Sequence, residues 1–272
     1  MIDATGVPET LLVLGAGSAI AQSVTARLVE RGTATLLLAV RHPDELAPWL
    51  DDLHRAHPEL TVCVAPFDAV DVAAHPRFVD VMWEGARRID MVLVAFGVMG
   101  DPLADDRRCD DLAVAGTNFL GALSILRLVA PRLVAQGQGR IVVLSSAAAL
   151  LPRGEQAAYA SSKAGLDAFA QGLSLDLEGT GVEVTIVRPG FVHSPMTAGM
   201  KPAPLATTPE SVANDIVRGL EIGARVVWSP PLARAMTGVA RRLPRTLYRR
   251  LWSSSQTPTV VKKASGSSNQ GM

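Results

Sequence analysis

Tyr159 and Lys163 stand four residues apart in an Ala-rich segment, and a phenol beside an ammonium group is a device for moving a proton. On a helix the pair shares one face about a turn apart. The cation favours the phenolate by opposite charge, so the phenol becomes a better proton donor near neutral pH. A serine pair, Ser145-Ser146, precedes the segment at the end of the apolar run Arg140-Ile141-Val142-Val143-Leu144. A hydroxyl there is placed to bond the same substrate oxygen. This is chemistry for protonating or deprotonating an alcohol or carbonyl oxygen.

Such groups need a scaffold, and the chain reads as one. Six apolar, β-rich runs, Thr10–Leu14, Thr35–Val40 and residues 60–65, 91–95, 140–144 and 182–187, alternate with helical patterns, and residues 226–228 look like a seventh. The alternation argues an α/β fold, a doubly wound parallel sheet of seven strands of the Rossmann type in a single domain over residues 1–230. The first strand runs into Gly15-Ala16-Gly17-Ser18-Ala19-Ile20-Ala21 and then a helix. Strand, glycine turn and helix together let a backbone approach a pyrophosphate, with helix N–H groups to receive it. A plain tight turn would read the same way.

Arg41 ends the second strand where dinucleotide folds place an acid for ribose hydroxyls or an arginine for a 2′-phosphate. It leans towards NADPH and leaves NADH open; a solvated loop arginine is the alternative. Asp68 follows the third strand as an adenine contact or a helix cap. Asn118 sits inside a long helical region, residues 106–135, where its side chain competes with the backbone. Arg188-Pro189-Gly190 closes the sixth strand. The Pro/Ala/Thr-rich stretch within residues 194–210 suits a substrate loop beside a cleft.

The 272 residues carry 26 basic and 26 acidic side chains, so bulk charge points to no nucleic-acid partner. Cys63 and Cys109 lack metal-ligand spacing, no metal site is expected, and reduced thiols suit a cytoplasmic protein. No signal peptide and no apolar run of about 18 residues is evident. After Glu221 every charged residue is basic, and apolar residues interleave with Arg234, Arg241, Arg242, Arg249 and Arg250. Residues 231–252 therefore read as basic amphipathic helices interrupted at Pro244, lying on an anionic membrane surface or docked on the core. Residues 253–272 read as a disordered tail.

Together these segments resemble the classical short-chain dehydrogenase/reductase family from about Leu11 to Met196. Ser146 lies thirteen residues before Tyr159, and Tyr159-Ala160-Ser161-Ser162-Lys163 is the family's active-site motif. Asn118 falls on its catalytic asparagine. Ala19 and Ala21 replace customary glycines, and Val94-Ala95-Phe96-Gly97 replaces Asn-Asn-Ala-Gly. The resemblance implies hydride transfer with NAD(P)H and a homo-oligomer. It implies Ser146, Tyr159, Lys163 and Asn118 as catalytic, with Lys163 also bonding the nicotinamide ribose. Gly15, Gly17, Ser18, Ile20, Arg41, Asp68, Gly97, Pro189, Gly190, Val192 and Ser194 would join Tyr159 and Lys163 around the cofactor.

Within the family, residues 94–101, 226–231 and 240–251 look like the decaprenylphosphoryl-2-keto-erythro-pentofuranose reductases of mycobacterial cell-wall arabinan synthesis. That likeness implies reduction of a prenylphosphoryl 2-keto sugar to the arabinofuranose, with a flavin-dependent oxidase partner and peripheral membrane contact. The alternatives are a short-chain reductase of another carbonyl, such as a 3-oxoacyl thioester or a hydroxysteroid-type substrate, and a non-enzymatic nucleotide-binding scaffold.

Overall fold

A computed structural model describes residues 6–244, apart from 87, 102, 103 and 153, together with residue 246. The strands are β1 (Thr10–Leu14), β2 (Thr35–Val40), β3 (Thr61–Pro66), β4 (Met91–Val94), β5 (Gly139–Leu144), β6 (Val182–Pro189) and β7 (Val226–Ser229). They form one sheet in the order β3-β2-β1-β4-β5-β6-β7, with every neighbouring pair parallel. Helices α1 (Ala19–Val29), α2 (Ala47–Ala56), α3 (His75–Gly85), α4 (Arg107–Ala115), α5 (Ala122–Ala135), α6 (Ala157–Asp176), α7 (Pro209–Glu221) and α8 (Leu232–Ala240) connect or follow them.

The central strands β1, β2 and β4 are apolar along nearly their whole length because both faces of the sheet are covered there. Leu12 and Leu14 point to the side of α3, α5 and α6, where Val79, Ile125, Val129 and Leu166 complete one core. Leu11 and Val13 point to the side of α1, α2 and α7, where Val24, Leu28, Leu53, Ile216 and Leu220 complete the other. Arg107–Ala135 runs as one helical stretch of 29 residues, long and apolar enough by composition to cross a membrane. Its inward residues Ile125, Leu126, Val129 and Leu133 are buried in the core, and that accounts for their apolarity.

Strand order reverses between β1 and β4, and ligands in open parallel sheets bind at such a switch point, beyond the carboxyl ends of the strands. α8 ends at Ala240, before Pro244. The remainder of the basic segment expected over residues 231–252, and the tail over 253–272, fall outside the described residues apart from residues 241–244 and 246.

Candidate active site

Ser146, Tyr159 and Lys163 are all buried and meet at the carboxyl end of β5. The Ser146 hydroxyl faces the Tyr159 phenol and favours its ionised form. Ser146 Oγ also accepts the Ala148 N–H at 3.1 Å, which fixes the hydroxyl at the start of its turn. Lys163 Nζ donates to the Leu144 carbonyl at 2.8 Å, so α6 is tied to the end of β5 by the functional cation itself. Burial lowers the Lys163 ammonium to about 8. Burial raises the Tyr159 phenol, and the Ser146 hydroxyl beside it offsets only part of that rise. The sequence predicts a phenol made more acidic by Lys163. In the folded chain without ligands, loss of solvation acts on the phenolate more strongly than any partner does.

A cleft runs from the start of α1 to α8. Ser18 and Ile20 line its first end, then Gly97, Ser146, Tyr159 and Lys163. Pro189, Gly190, Val192 and Ser194, all beyond β6 or at its end, form the facing wall. Gly15 and Gly17 stand behind this lining and shape the turn. Gly15 has φ +92°, and a Cβ there would lie 2.4 Å from the Phe96 nitrogen, so only glycine fits between β1 and β4. A Cβ on Gly17 would lie 3.6 Å from Val40 Cγ2, leaving that side of the turn merely in contact with the end of β2. Ser18 caps α1, its Oγ accepting the Ala21 N–H at 3.4 Å.

Arg41 is exposed just beyond β2 and does not line the cleft. Asp68 is also exposed and outside the lining; its carboxylate accepts the Val70 N–H at 3.1 Å. It does not cap α3, whose N-cap is Ala74.

Asn118 lies in a π-helical turn, Gly116–Gly121, between α4 and α5. A widened turn of this kind inserts a residue into a helix and is frequent at functional sites. Its carboxamide is fully buried, with Nδ2 donating to Val98 O at 2.8 Å and to Ser162 Oγ at 3.0 Å, and Oδ1 accepting the Val98 N–H at 2.8 Å. The side chain thus imitates a neighbouring strand for the loop after β4. A Cβ on Gly97 would lie 3.1 Å from Asn118 Oδ1 and 3.3 Å from Lys163 Nζ, so that loop, Asn118 and Lys163 close around a glycine.

A polar network beneath the site, centred on Asp167, escaped the sequence reading. The Asp167 carboxylate is buried and accepts from Arg188 Nε at 2.9 Å and Nη2 at 2.7 Å, from Ser145 Oγ at 2.8 Å and from Gln171 Nε2 at 2.6 Å. The Arg188 guanidinium also lies 5.3 Å from the Trp228 ring centroid. Burial works to raise the Asp167 carboxyl, but Arg188 and the Ser145 and Gln171 hydrogen bonds outweigh it and hold it below its ordinary value. The network joins the residue before Ser146, the helical turn after Lys163 and the residue before Pro189. One signal was available: Asp167 is an acid at i+4 from Lys163, on the helix face that carries Tyr159 and Lys163.

The segment after β6 returns over the cleft. Met196, Thr197, Met200, Ala203, Pro204 and Leu205 line it, and its two ends are joined by a parallel bridge between Val192 and Thr207. Leu205 has φ +62°, a left-handed conformation costing a non-glycine residue about 1–2 kcal/mol. Ala233, Met236 and Thr237 of α8 complete the far wall.

A sequence model described as short chain dehydrogenase matches residues 9–204. An uncharacterized oxidoreductase of Streptomyces coelicolor is 44% identical over 250 residues, which are 92% of this chain and 98% of the relative. The 1-deoxy-11-beta-hydroxypentalenate dehydrogenase of Streptomyces avermitilis is 29% identical over 273 residues, covering 93% of this chain and 97% of that one. Among solved structures, a short chain dehydrogenase from Burkholderia cenocepacia J2315 in complex with NADP superposes with a TM-score of 0.74 at 23% identity, covering 92% of this chain and 98% of the other. The match over most of the chain gives the buried serine, tyrosine and lysine their context: the protein belongs to the short-chain dehydrogenase/reductase family of oxidoreductases.

Proposed function

We propose that the protein reduces a carbonyl compound with NAD(P)H, and catalyses the reverse oxidation of the alcohol, through Ser146, Tyr159 and Lys163. The observation that carries this reading is the Ser146–Tyr159 hydroxyl pair held beside a buried ammonium in a cleft that begins at the glycine turn.

The residues fit a dinucleotide. The start of α1, with its positive dipole end, opens on the cleft at Ser18 and Ile20 and suits a pyrophosphate. Lys163 has three N–H donors and uses one on Leu144, leaving donors for a ribose hydroxyl. Gly97, Pro189, Gly190, Val192 and Ser194 offer a flat, largely apolar trough for a nicotinamide ring. Arg41 follows the end of β2, where the Ala39 carbonyl accepts the Gly15 and Ala16 N–H groups of the glycine turn at 2.8 and 3.1 Å, and this favours NADPH; Asp68 sits at the neighbouring strand end for the adenine edge. Bound there, the nicotinamide supplies the hydride to the carbonyl carbon.

Ser146 donates a hydrogen bond to the carbonyl oxygen and orients it. Tyr159 passes its phenolic proton to that oxygen, which becomes the hydroxyl. The phenolate left behind is stabilised by the Lys163 ammonium and regains its proton from solvent. Asn118 is a positioning residue: it fixes Val98 and hence the wall at Gly97, and the second lone pair of its Oδ1 remains for a water relaying protons to Lys163. The segment over residues 194–210 acts as the substrate loop. General acid catalysis typically contributes ~10²–10⁴-fold, so Tyr159→Phe loses that much turnover while binding of NADPH, read by fluorescence, is retained. Near-normal turnover of the variant would remove Tyr159 from this role.

The relative named for a hydroxypentalenate supports a reductase or dehydrogenase of this broad kind more directly than the keto-sugar resemblance does. The prenylphosphoryl 2-keto pentose is the second reading. In its favour, α8 beside the cleft mouth exposes Leu232 and Val239 together with Arg234, followed by exposed Arg241 and Arg242, a mixture suited to an anionic membrane surface. Under that reading an oxidase partner supplies the ketone. Oxidation of NADPH and NADH by the two substrate types side by side, with sedimentation on anionic vesicles, decides; no turnover of the keto-sugar removes the second reading. Exposed Leu112, Leu120 and Leu175 on the outer side of α4, the π turn and α6 support assembly into a homo-oligomer, which a monomeric sedimentation profile would rule out.

A further inference from the structure

We infer, resting on the carbonyl-reductase reading, that the substrate is bulky, uncharged and apolar around its reacting carbonyl, and that Met236 of α8 is a specificity-determining residue. Four of the eight methionines of the chain, Met99, Met196, Met200 and Met236, line one cleft. They come from three separate places: the loop after β4 (Met99), the substrate loop (Met196 and Met200) and α8 (Met236). Thioether side chains are unbranched and polarizable, and they form apolar surfaces that adapt to irregular shapes. Among the described lining residues Lys163 carries the one charged side chain, and it belongs to the catalytic group.

Two polar side chains on the substrate side have partners inside the protein. Thr197 Oγ1 donates to the Val192 carbonyl at 2.6 Å, and Gln156 Nε2 lies 3.6 Å from Met99 Sδ. A phosphate or a ring of hydroxyls seated here would exchange water for methyl, methylene and sulfur surface. Each polar group so stranded costs on the order of 1–3 kcal/mol. An apolar ring system loses nothing of that kind and gains buried area. The geometry therefore favours the first reading of the function over the keto-sugar.

α8 lies beyond the part of the chain that the family's sequence model matches, which ends at residue 204. It buries Ala233, Thr237 and Ala240 against the protein and leaves Met236 partly exposed at the cleft. A carboxylate at position 236 is tolerated by the fold, because the side chain reaches the opening, but it places a charge against an apolar ligand.

The test uses the full chain loaded with NADP⁺, titrated separately with trans-1-decalone and D-ribulose 5-phosphate and followed by calorimetry, with NADPH oxidation measured in parallel. Decalone is expected to bind and ribulose 5-phosphate not. Met236→Glu should weaken decalone binding by about tenfold or more, with NADP⁺ affinity unchanged, and Met236→Leu should restore it. Failure of decalone to bind, binding of ribulose 5-phosphate as tightly, or a Met236→Glu variant that binds decalone like the parent would each overturn the inference. Decalone binding without any NADPH oxidation would leave the pocket assignment standing and count instead against the reductase reading.

Discussion

Lys163→Met separates the cost of the buried cation from its use. Burial brings the ammonium from its ordinary value of 10.5 to about 8. At about 1.4 kcal/mol per pH unit, that gap is a charging penalty of about 3 kcal/mol in the ligand-free protein. The sign follows from linkage. Below pH 8 both folded and unfolded chains carry the proton and the penalty is fully present. Between pH 8 and 10.5 the unfolded chain binds more protons, so the stability of the parent protein rises with pH. Methionine removes this titration. It also leaves the Leu144 carbonyl without its 2.8 Å partner, at a cost of about 1–3 kcal/mol, so at pH 7 the variant is expected to equal the parent or exceed it by up to about 2 kcal/mol. The difference should then move against the variant by about 2 kcal/mol as pH rises from 7 to 9.5. Urea unfolding of both proteins across that range measures it. Stopping at pH 9.5 keeps the Tyr159 phenol, which burial holds above its ordinary value of 10, protonated throughout. A stability difference that stays flat over the range would refute the claim that the ammonium is buried charged and destabilising.

Three further outcomes concern the supports of the site. Asp167→Asn leaves the Arg188 guanidinium, 12% exposed, without its carboxylate, and breaking a buried pair costs about 3–5 kcal/mol; urea unfolding of the variant near the parent's midpoint would show the network to be dispensable. Because the Asp167 carboxyl is held below its ordinary value of 3.8, its contribution is complete above that pH and is lost as pH falls through the folded value, so the parent should lose stability in acid more steeply than the variant. Gly15→Ala puts a Cβ 2.4 Å from the Phe96 nitrogen at φ +92°, and should yield insoluble protein or an unfolding midpoint lowered by several degrees; a soluble variant of unchanged midpoint would mean that the β1–β4 crossing yields easily.

Much of the scaffold was legible in the residues themselves. A strand covered on both faces must be apolar along its whole length, so Thr10–Leu14 and Thr35–Val40 announce themselves, and the observed bounds match. The i,i+4 spacing of Tyr159 and Lys163 likewise encodes their shared face, because helical geometry is local. The glycine turn and the serine pair stand at strand ends for the same local reason.

What depended on the folded chain were the relations between distant segments. Asn118 could be singled out, but not its pairing with Val98 across twenty residues, since no periodicity links the two. Asp167 looks like one more helix polar residue until β6 brings Arg188 beside it. Arg41 and Asp68 stand outside the lining of the cleft, at neighbouring strand ends, a placement that their spacing along the chain does not give. The clearest division is at the opening pair itself. Sequence alone placed a phenol and an ammonium one turn apart; the tertiary structure decided that both lose water there, which raises the one and lowers the other. Desolvation is set by everything that packs around a group, and neighbours along the chain are only a few of those atoms.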